Sequence, residues 1–397
     1  MAYGFGRFLT THTGSLPRPD DLIRAMFAKE EGVPVDRAAL AARISDAVAE
    51  VVKKQVEAGV DLVNDGEMSK PSYATYVKDR LTGFAGSSNT FVYQDLAEFP
   101  NLAKRVFSDP GRSRRRTPAC TAPIGVGDPA APLADIDNLK AALAGVNAAG
   151  AFLSAASPGV ISLFFRNDHY ATQEAYLFAI AEAMRGEYEA IAAAGIIVQI
   201  DCPDLAMGRH IQYADLSLEE FRKRARLHVE ALNHALIAVP PDQARLHLCW
   251  GNYEGPHHHD VPLAEIIDIV FTARPAAISF EAANPRHAHE WTLSNRSSCR
   301  RARSSFPGSS SRNRTSSSIL TWSRSASPAT PTSSAATTSS PAAIAALAPG
   351  SARLPSIPTL CGPNWRRWPK ARGWPRNNSG AAEAAQSMMR NIVRRDE

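Results

Sequence analysis

The chain has 397 residues, 44% of them hydrophobic and 21% charged, which is enough apolar material for one large core or two modest ones and too much for wholesale disorder. Five cysteines, Cys120, Cys202, Cys249, Cys299 and Cys361, are odd in number and far apart, which argues against a disulfide framework. The net charge of +5 hides an uneven split: residues 1–292 hold 28 Lys and Arg against 36 Asp and Glu, whereas residues 293–397 hold 16 against 3.

An acidic domain over residues 1–292 is therefore followed by a basic segment, 293–397. The first residues lack a basic patch leading into an apolar run, and no stretch approaches the roughly 18 unbroken apolar residues of a membrane span. The expectation is a soluble, cytoplasmic protein with no membrane partner.

Up to about Trp291 one unit repeats: an amphipathic helix, a Gly, a short β-branched strand, then a polar or acidic loop. Phe8 to Thr13 reads as the first strand. Leu40, Ile44, Val48, Val52 and Val56 fall at helical spacing, Gly59 stops that helix, and Val60 to Val63 leads into Asn64-Asp65-Gly66-Glu67. Phe152 to Ala156 is a third strand. A helix over Ala175 to Ala194 passes through Gly195 into Ile196 to Ile200 and Asp201-Cys202-Pro203-Asp204. Ser217 with Glu220 forms a capping box that opens a helix to about Ala238, and Arg245 to Leu248 is a strand ending at Cys249-Trp250-Gly251-Asn252. Pro262 to Ala273 reads as the next helix and Ala277 to Phe280 as the next strand, closing on Glu281.

Six strands thus each deliver Ser, Asp, Glu, His or Cys near their C-terminal ends. That is the pattern of an α/β (β/α)8 TIM barrel truncated to about six native strands. A doubly wound sheet fits less well, since no Gly-rich phosphate loop follows the first strand.

From Leu293 to Gly380 there is no Asp or Glu and only one Lys, and periodicity vanishes among Ser, Arg, Pro and Ala. A disordered basic arm, a nucleic-acid-binding tail and out-of-frame translation compete as readings. Codon arithmetic favours the third. Trp is TGG, so Trp374-Pro375 must read alanine in the frame one base earlier. The same offset turns Cys361 to Lys370 into VWAKLAALAE and Ala329 to Ala348 into RYADLVGRDNVIAGSDCGFG, helix and strand text in which acidic residues return. A slip between Trp291 and Ser294 would make residues 293–397 a non-native, disordered segment and leave the first and sixth strands as open edges prone to aggregation.

His247-x-Cys249 places an imidazole and a thiol on one side of a strand end, a pair suited to Zn2+. Glu281, at the end of the neighbouring strand, supplies a third corner. The run His257-His258-His259 reads as a solvated loop, because three adjacent histidines do not converge on one ion without special backbone geometry. His287 and His289 either line the site or shield its rim. Ser15, Glu67 and Asp201 sit where a barrel holds a small polar substrate, with carboxylates for an ammonium and a Ser and backbone N–H for a carboxylate; strand-end capping is the plainer alternative. Gly4-x-Gly6 is too short for a nucleotide motif, and Arg112 to Arg116 reads as a solvated loop.

Five ordered motifs then resemble one family: THTGSLPRP at Thr11 to Pro19, NDGE at Asn64 to Glu67, QIDCPDLA at Gln199 to Ala206, HLCWGN at His247 to Asn252 and SFEAANPRH at Ser279 to His287. Together they are similar to the C-terminal catalytic barrel of cobalamin-independent methionine synthase in its short single-domain form. The resemblance implies a Zn2+ cofactor and two small-molecule partners, a methyl-tetrahydrofolate-type donor and a thiol such as homocysteine, with no nucleic acid. It also implies that His247, Cys249 and Glu281 are zinc ligands and that Ser15, Glu67 and Asp201 hold the amino acid's carboxylate and ammonium. The family's fourth ligand, a cysteine in a DCG-type strand end, is absent from the written chain; in the shifted frame it straddles Ile344 and Ala345. Cys202 stands where the longer enzymes carry Glu. Epoxide-to-coenzyme M transferases share this zinc logic with another acceptor, and a non-catalytic product of a shifted gene is the further alternative.

Overall fold

The structure, a computed structural model, describes residues 9–88, 93–107, 117–251, 255–281, 286–295 and 319–323. In chain order the elements are α1 (Asp20–Glu30), α2 (Arg37–Glu57), β1 (Leu62–Val63), β2 (Phe84–Ala85), α3 (Gln94–Ala97), α4 (Pro100–Phe107), β3 (Ala119–Cys120), α5 (Ala130–Leu143), β4 (Gly150–Ala156), α6 (Pro158–Phe164), α7 (Gln173–Ala193), β5 (Ile197–Asp201), α8 (Leu218–Ala235), β6 (Ala244–Leu248), α9 (Ile267–Val270), β7 (Ala277–Glu281) and β8 (Ile319–Ser323).

Five strands form one parallel sheet in the order β1-β4-β5-β6-β7. Parallel neighbours need long crossovers, and α7 and α8 supply them between β4, β5 and β6. These helices start and stop where local chemistry dictates. Ser217 Oγ accepts from Glu220 N–H at 3.2 Å while Glu220 answers the Ser217 N–H at 3.3 Å, completing the capping box of α8. Gly59 at φ +81° ends α2, its N–H bonded to Val56 O at 2.9 Å, and turns the chain into β1.

The two faces of the sheet differ sharply. Residues at alternate positions, Leu153, Ala155, Val198, Ile200, Leu246, Leu248, Ile278 and Phe280, are all buried in a continuous core with Val48 and Val52 of α2, Leu139 of α5, Tyr188 and Ile191 of α7 and Leu232 of α8. Each Val, Leu, Ile or Phe side chain among them contributes about 1.5–3 kcal/mol by leaving water. The intervening positions, Ser154, Gln199, Asp201, Arg245, His247 and Ser279, are equally buried but polar. The register runs straight across them: Ser154 lies opposite Gln199, Gln199 opposite Arg245, Asp201 opposite His247 and His247 opposite Ser279. The sheet curls so that this polar face looks inward on the segment Leu9 to Ser15, as the staves of a (β/α)8 barrel do.

Several expectations change here. The first expected strand is not one: Leu9 to Thr13 runs as irregular chain beside β1, its Thr10 carbonyl accepting from Leu62 N–H at 2.9 Å and its Thr11 hydroxyl donating to the Leu62 carbonyl. Threonine side chains here do work that a ladder would otherwise do; Phe8 lies outside the described residues. The expected helix Pro262 to Ala273 breaks into a 3-10 turn, Leu263–Glu265, and the single turn α9. The outer edge of β7, expected to be open, is paired antiparallel with β8, Glu281 opposite Ile319 and Ala277 opposite Ser323. The β-branched and apolar text Ile319-Leu320-Thr321 suits an extended segment that completes a free row of backbone groups. The rest of the segment after Asn295, with Cys299 and Cys361, lies outside the described residues, as do Gly4-x-Gly6 and Arg112 to Arg116. Among the described residues no helix is long and apolar enough to cross a membrane.

Candidate functional site

Ser15, Glu67 and Asp201 meet at the inward face. The Ser15 hydroxyl donates to Glu67 Oε2, and Arg18 donates to the carbonyls of Glu67, at 2.8 Å, and Lys70, at 2.6 Å, which fixes the loop. Glu67 itself sits at φ +57°, a conformation that ordinarily costs a non-glycine residue about 1 kcal/mol or more and that collects at functional sites. Gly14, at φ +142°, leaves the space it needs: a Cβ there would lie 2.5 Å from Glu67 Oε1 and 2.6 Å from Ser154 Oγ. Glu67 is 1% exposed and Asp201 5%, so neither carboxylate is a solvated cap. Burial, and then the Glu67 charge, push Asp201 well above the usual carboxylate range.

Two residues that spacing did not single out hold this arrangement. Gln199 Nε2 donates to Asp201 Oδ1 at 2.8 Å and to the Thr13 carbonyl, while Arg245 Nε donates to Gln199 Oε1 at 2.7 Å and its Nη2 to the His12 carbonyl at 3.1 Å. The Arg245 guanidinium lies 3.7 Å from the Phe152 ring centroid. Their signal in the sequence was parity: both sit two residues before a site residue on the same strand, hence on the same face. Lys70, 1% exposed, donates to the Ser154 carbonyl and lies over the Tyr76 ring.

His247 and Cys249 occupy the end of β6, and Glu281 the end of β7, one step beyond the paired residues Leu248 and Phe280. His247 Nδ1 is buried without a hydrogen-bond partner. Burial and the Arg245 charge lower the pKa of His247 to about 4, so the ring is neutral at physiological pH. Burial, then Glu281, push the Cys249 thiol up to about 12, with Asp201 and Asp260 adding to it; the Gly251 N–H donates to its Sγ at 3.2 Å. Burial likewise raises Glu281, against the opposing pull of His257 and His287.

The loop after β6 is more structured than expected. His258 and His259 are exposed, as a solvated loop requires, and both bond Glu98 Oε1, at 2.9 and 2.7 Å. His257 is not: its side chain is 8% exposed and its Nδ1 lies 2.8 Å from Asp260 Oδ2. His287 belongs inside as well, bonded to Asp260 at 2.9 Å and Glu290 at 2.7 Å and stacked on Trp250 at 4.0 Å. Burial works to lower His287, but these two carboxylates outweigh it and lift its pKa to about 9. His289 is exposed. Cys202 faces the apolar side, its thiol pushed up by burial, and takes no part in the inward network.

Among the described residues, two groups bring three ligand atoms within 4.8 Å of one another: Asp95 with His258 and His259, and Asp95 with His210 and Asp260. His247, Cys249 and Glu281 are not such a group; of the three, Glu281 and Cys249 are linked, by the effect of the Glu281 charge on the thiol.

Comparison with known proteins agrees with the motifs. The chain is 25% identical over 253 residues to a methionine synthase of Sulfolobus acidocaldarius, covering 62% of this chain and 62% of the relative, and 25% identical over 268 residues to that of Saccharolobus solfataricus, covering 65% and 68%. It therefore spans about two thirds of the length of these relatives or slightly less. A solved B12-independent methionine synthase from a Shewanella species, in complex with selenomethionine, aligns with 62% of this chain and 63% of its own at 19% identity and a TM-score of 0.46. No protein-family profile matches the chain. In sequence the resemblance to the methionine synthases extends beyond the five motifs, over 253 and 268 aligned residues.

Proposed function

We propose that the domain over residues 1–292 is built for zinc-dependent methyl transfer to a thiol amino acid, homocysteine being the thiol whose methylation gives methionine, with a methyl-tetrahydrofolate-type donor. The observation that carries this reading is the position of Asp201, a buried carboxylate on the inward face with Glu67, held by Gln199 and directly opposite His247 in the register of β5 and β6. An ammonium held between the two buried carboxylates would relieve their repulsion, and Ser15 would take the substrate carboxylate. Gln199 and Arg245 orient Asp201, and Gly14 lets the loop backbone close over Glu67.

His247, Cys249 and Glu281 fit zinc by donor chemistry, and the orphaned His247 Nδ1 is the free donor such a site needs. Bound there, the ion would lower the pKa of an acceptor thiol into the neutral range without abolishing its nucleophilicity. The alternative acceptor, coenzyme M, has less support, since nothing in the relatives' names points to it.

We infer further that residues 293–397 are out-of-frame text. The written chain then lacks the family's fourth ligand, and its activity is expected to be low. Nucleotide sequence across codons 291–294 tests this directly: a one-base slip is expected, and an intact intended frame would reject it. For the activity, zinc content and homocysteine methylation are measured on the full chain and on the frame-repaired chain. The repaired chain is expected to bind zinc, to methylate homocysteine and to lose at least about 100-fold in rate as Cys249→Ser; zinc undiminished by that change would overturn the assignment.

A further inference from the structure

We propose that Asp95, His210 and Asp260 form a second, sulfur-free site that takes one divalent cation of the Mn2+ or Zn2+ kind. The three residues come from separate places: Asp95 from α3, His210 from the turn after β5 and Asp260 from the loop after β6. All are buried, at 0%, 2% and 3% exposure. One ligand atom from each lies within 4.8 Å of the other two.

The contacts around Asp260 separate a metal site from an ordinary buried ion pair. Its Oδ2 makes close hydrogen bonds to His257 Nδ1 at 2.8 Å and His287 Nε2 at 2.9 Å. Its Oδ1 makes none and stands 3.4 Å from His210 Nε2. Both nitrogens of the His210 ring are buried without a hydrogen-bond partner, although Asp95 Oδ2 lies 3.6 Å from Nδ1. A histidine seeking only a carboxylate would close to hydrogen-bonding distance, as His257 and His287 do on the same residue. A separation near 3.4 Å is instead the edge expected between two ligands of one tetrahedral ion with bonds of about 2.1 Å.

The surroundings complete the design. His257 and His287 hold Asp260 by its far oxygen, which leaves Oδ1 turned toward His210, while Asp95 Oδ1 accepts from the His259 N–H at 2.7 Å and lies 3.1 Å from His258 Nδ1, which fixes the Asp95 carboxylate beside the same ring. Two carboxylates and one imidazole make a hard-to-borderline donor set, which suits Mn2+ as well as Zn2+, unlike the thiolate set at Cys249.

The test uses the purified full chain stripped with chelator and titrated with Mn2+ alone, the free ion being read by electron paramagnetic resonance. One bound Mn2+ per chain is expected. Affinity should fall at least tenfold in His210→Ala and in Asp260→Asn, and should stay within about threefold of wild type in Cys249→Ser and in the pair His258→Ala with His259→Ala. No uptake of Mn2+ by the wild-type chain would overturn the site, and that result needs no variant to fold. Unchanged binding in folded Asp260→Asn would overturn it too, and loss in the His258/His259 pair would move the ion to the exposed group.

Discussion

The two faces of the same five strands obey opposite rules, although their residues alternate along one backbone. On the outer face Leu153, Val198, Leu246 and Ile278 pack against helices, where any apolar side chain of the right volume serves. On the inner face Ser154, Gln199, Arg245 and Asp201 are just as buried, and each has particular partners. The first face determines whether the sheet forms. The second fixes where two carboxylates and a thiol stand relative to one another, and it tolerates little exchange because a half-satisfied buried network is costly.

That contrast can be broken by substitution. The largest effect is expected from Leu246→Asn, which puts an amide into the helix-facing layer and leaves a cavity. We expect a loss of about 4 kcal/mol or more in urea unfolding. Arg245→Met keeps the volume on the inner face but strips Gln199 and the His12 carbonyl of a donor, for about 2–4 kcal/mol. A smaller loss than that from a conservative Leu246→Met would refute the difference between the faces. Asp201→Asn should change stability by no more than about 1 kcal/mol, since the amide still accepts from Gln199 and no longer crowds Glu67, while weakening amino-acid binding in calorimetry.

The smallest effect is a slope. Burial lowers the pKa of His12 to about 4 against the pull of its hydrogen bond to Gln55 at 2.7 Å. The unfolded chain therefore binds the extra proton first, so this residue's contribution is complete above pH 6.5 and is lost as pH falls from 6.5 toward 4. His12→Gln should flatten the pH dependence of stability in that window alone. An unchanged slope would mean that His12 is not held neutral.

Much of the fold was legible because its signals are local. β4, β5, β6 and β7 fall where β-branched runs end in polar residues, Gly59 and Gly195 stop their helices in the left-handed conformation, and Ser217 caps α8 as read. The failures have a common cause, which is tertiary context. Leu9 to Thr13 has strand composition but satisfies itself through threonine hydroxyls, and the helix over Pro262 to Ala273 is interrupted at Ile266, whose φ of −127° lies outside the helical range, while Glu290 from a distant turn accepts the Leu263 N–H at its start. Of the site, Ser15, Glu67 and Asp201 were visible as strand-end polar residues. The cluster of Asp95, His210 and Asp260 was not, since its members lie 115 and 50 positions apart and only the His257 to His259 run advertised that region.

The direction of β8 bears on whether the sheet of the chain as written can close into a ring. A right-handed crossover adds each new stave alongside the last in the same sense, which requires the β7 margin to be vacant when the seventh stave arrives. Here that margin is occupied by a strand running the opposite way. The segment is a dead end for barrel closure: while it pairs with β7, no parallel stave can be added at that margin.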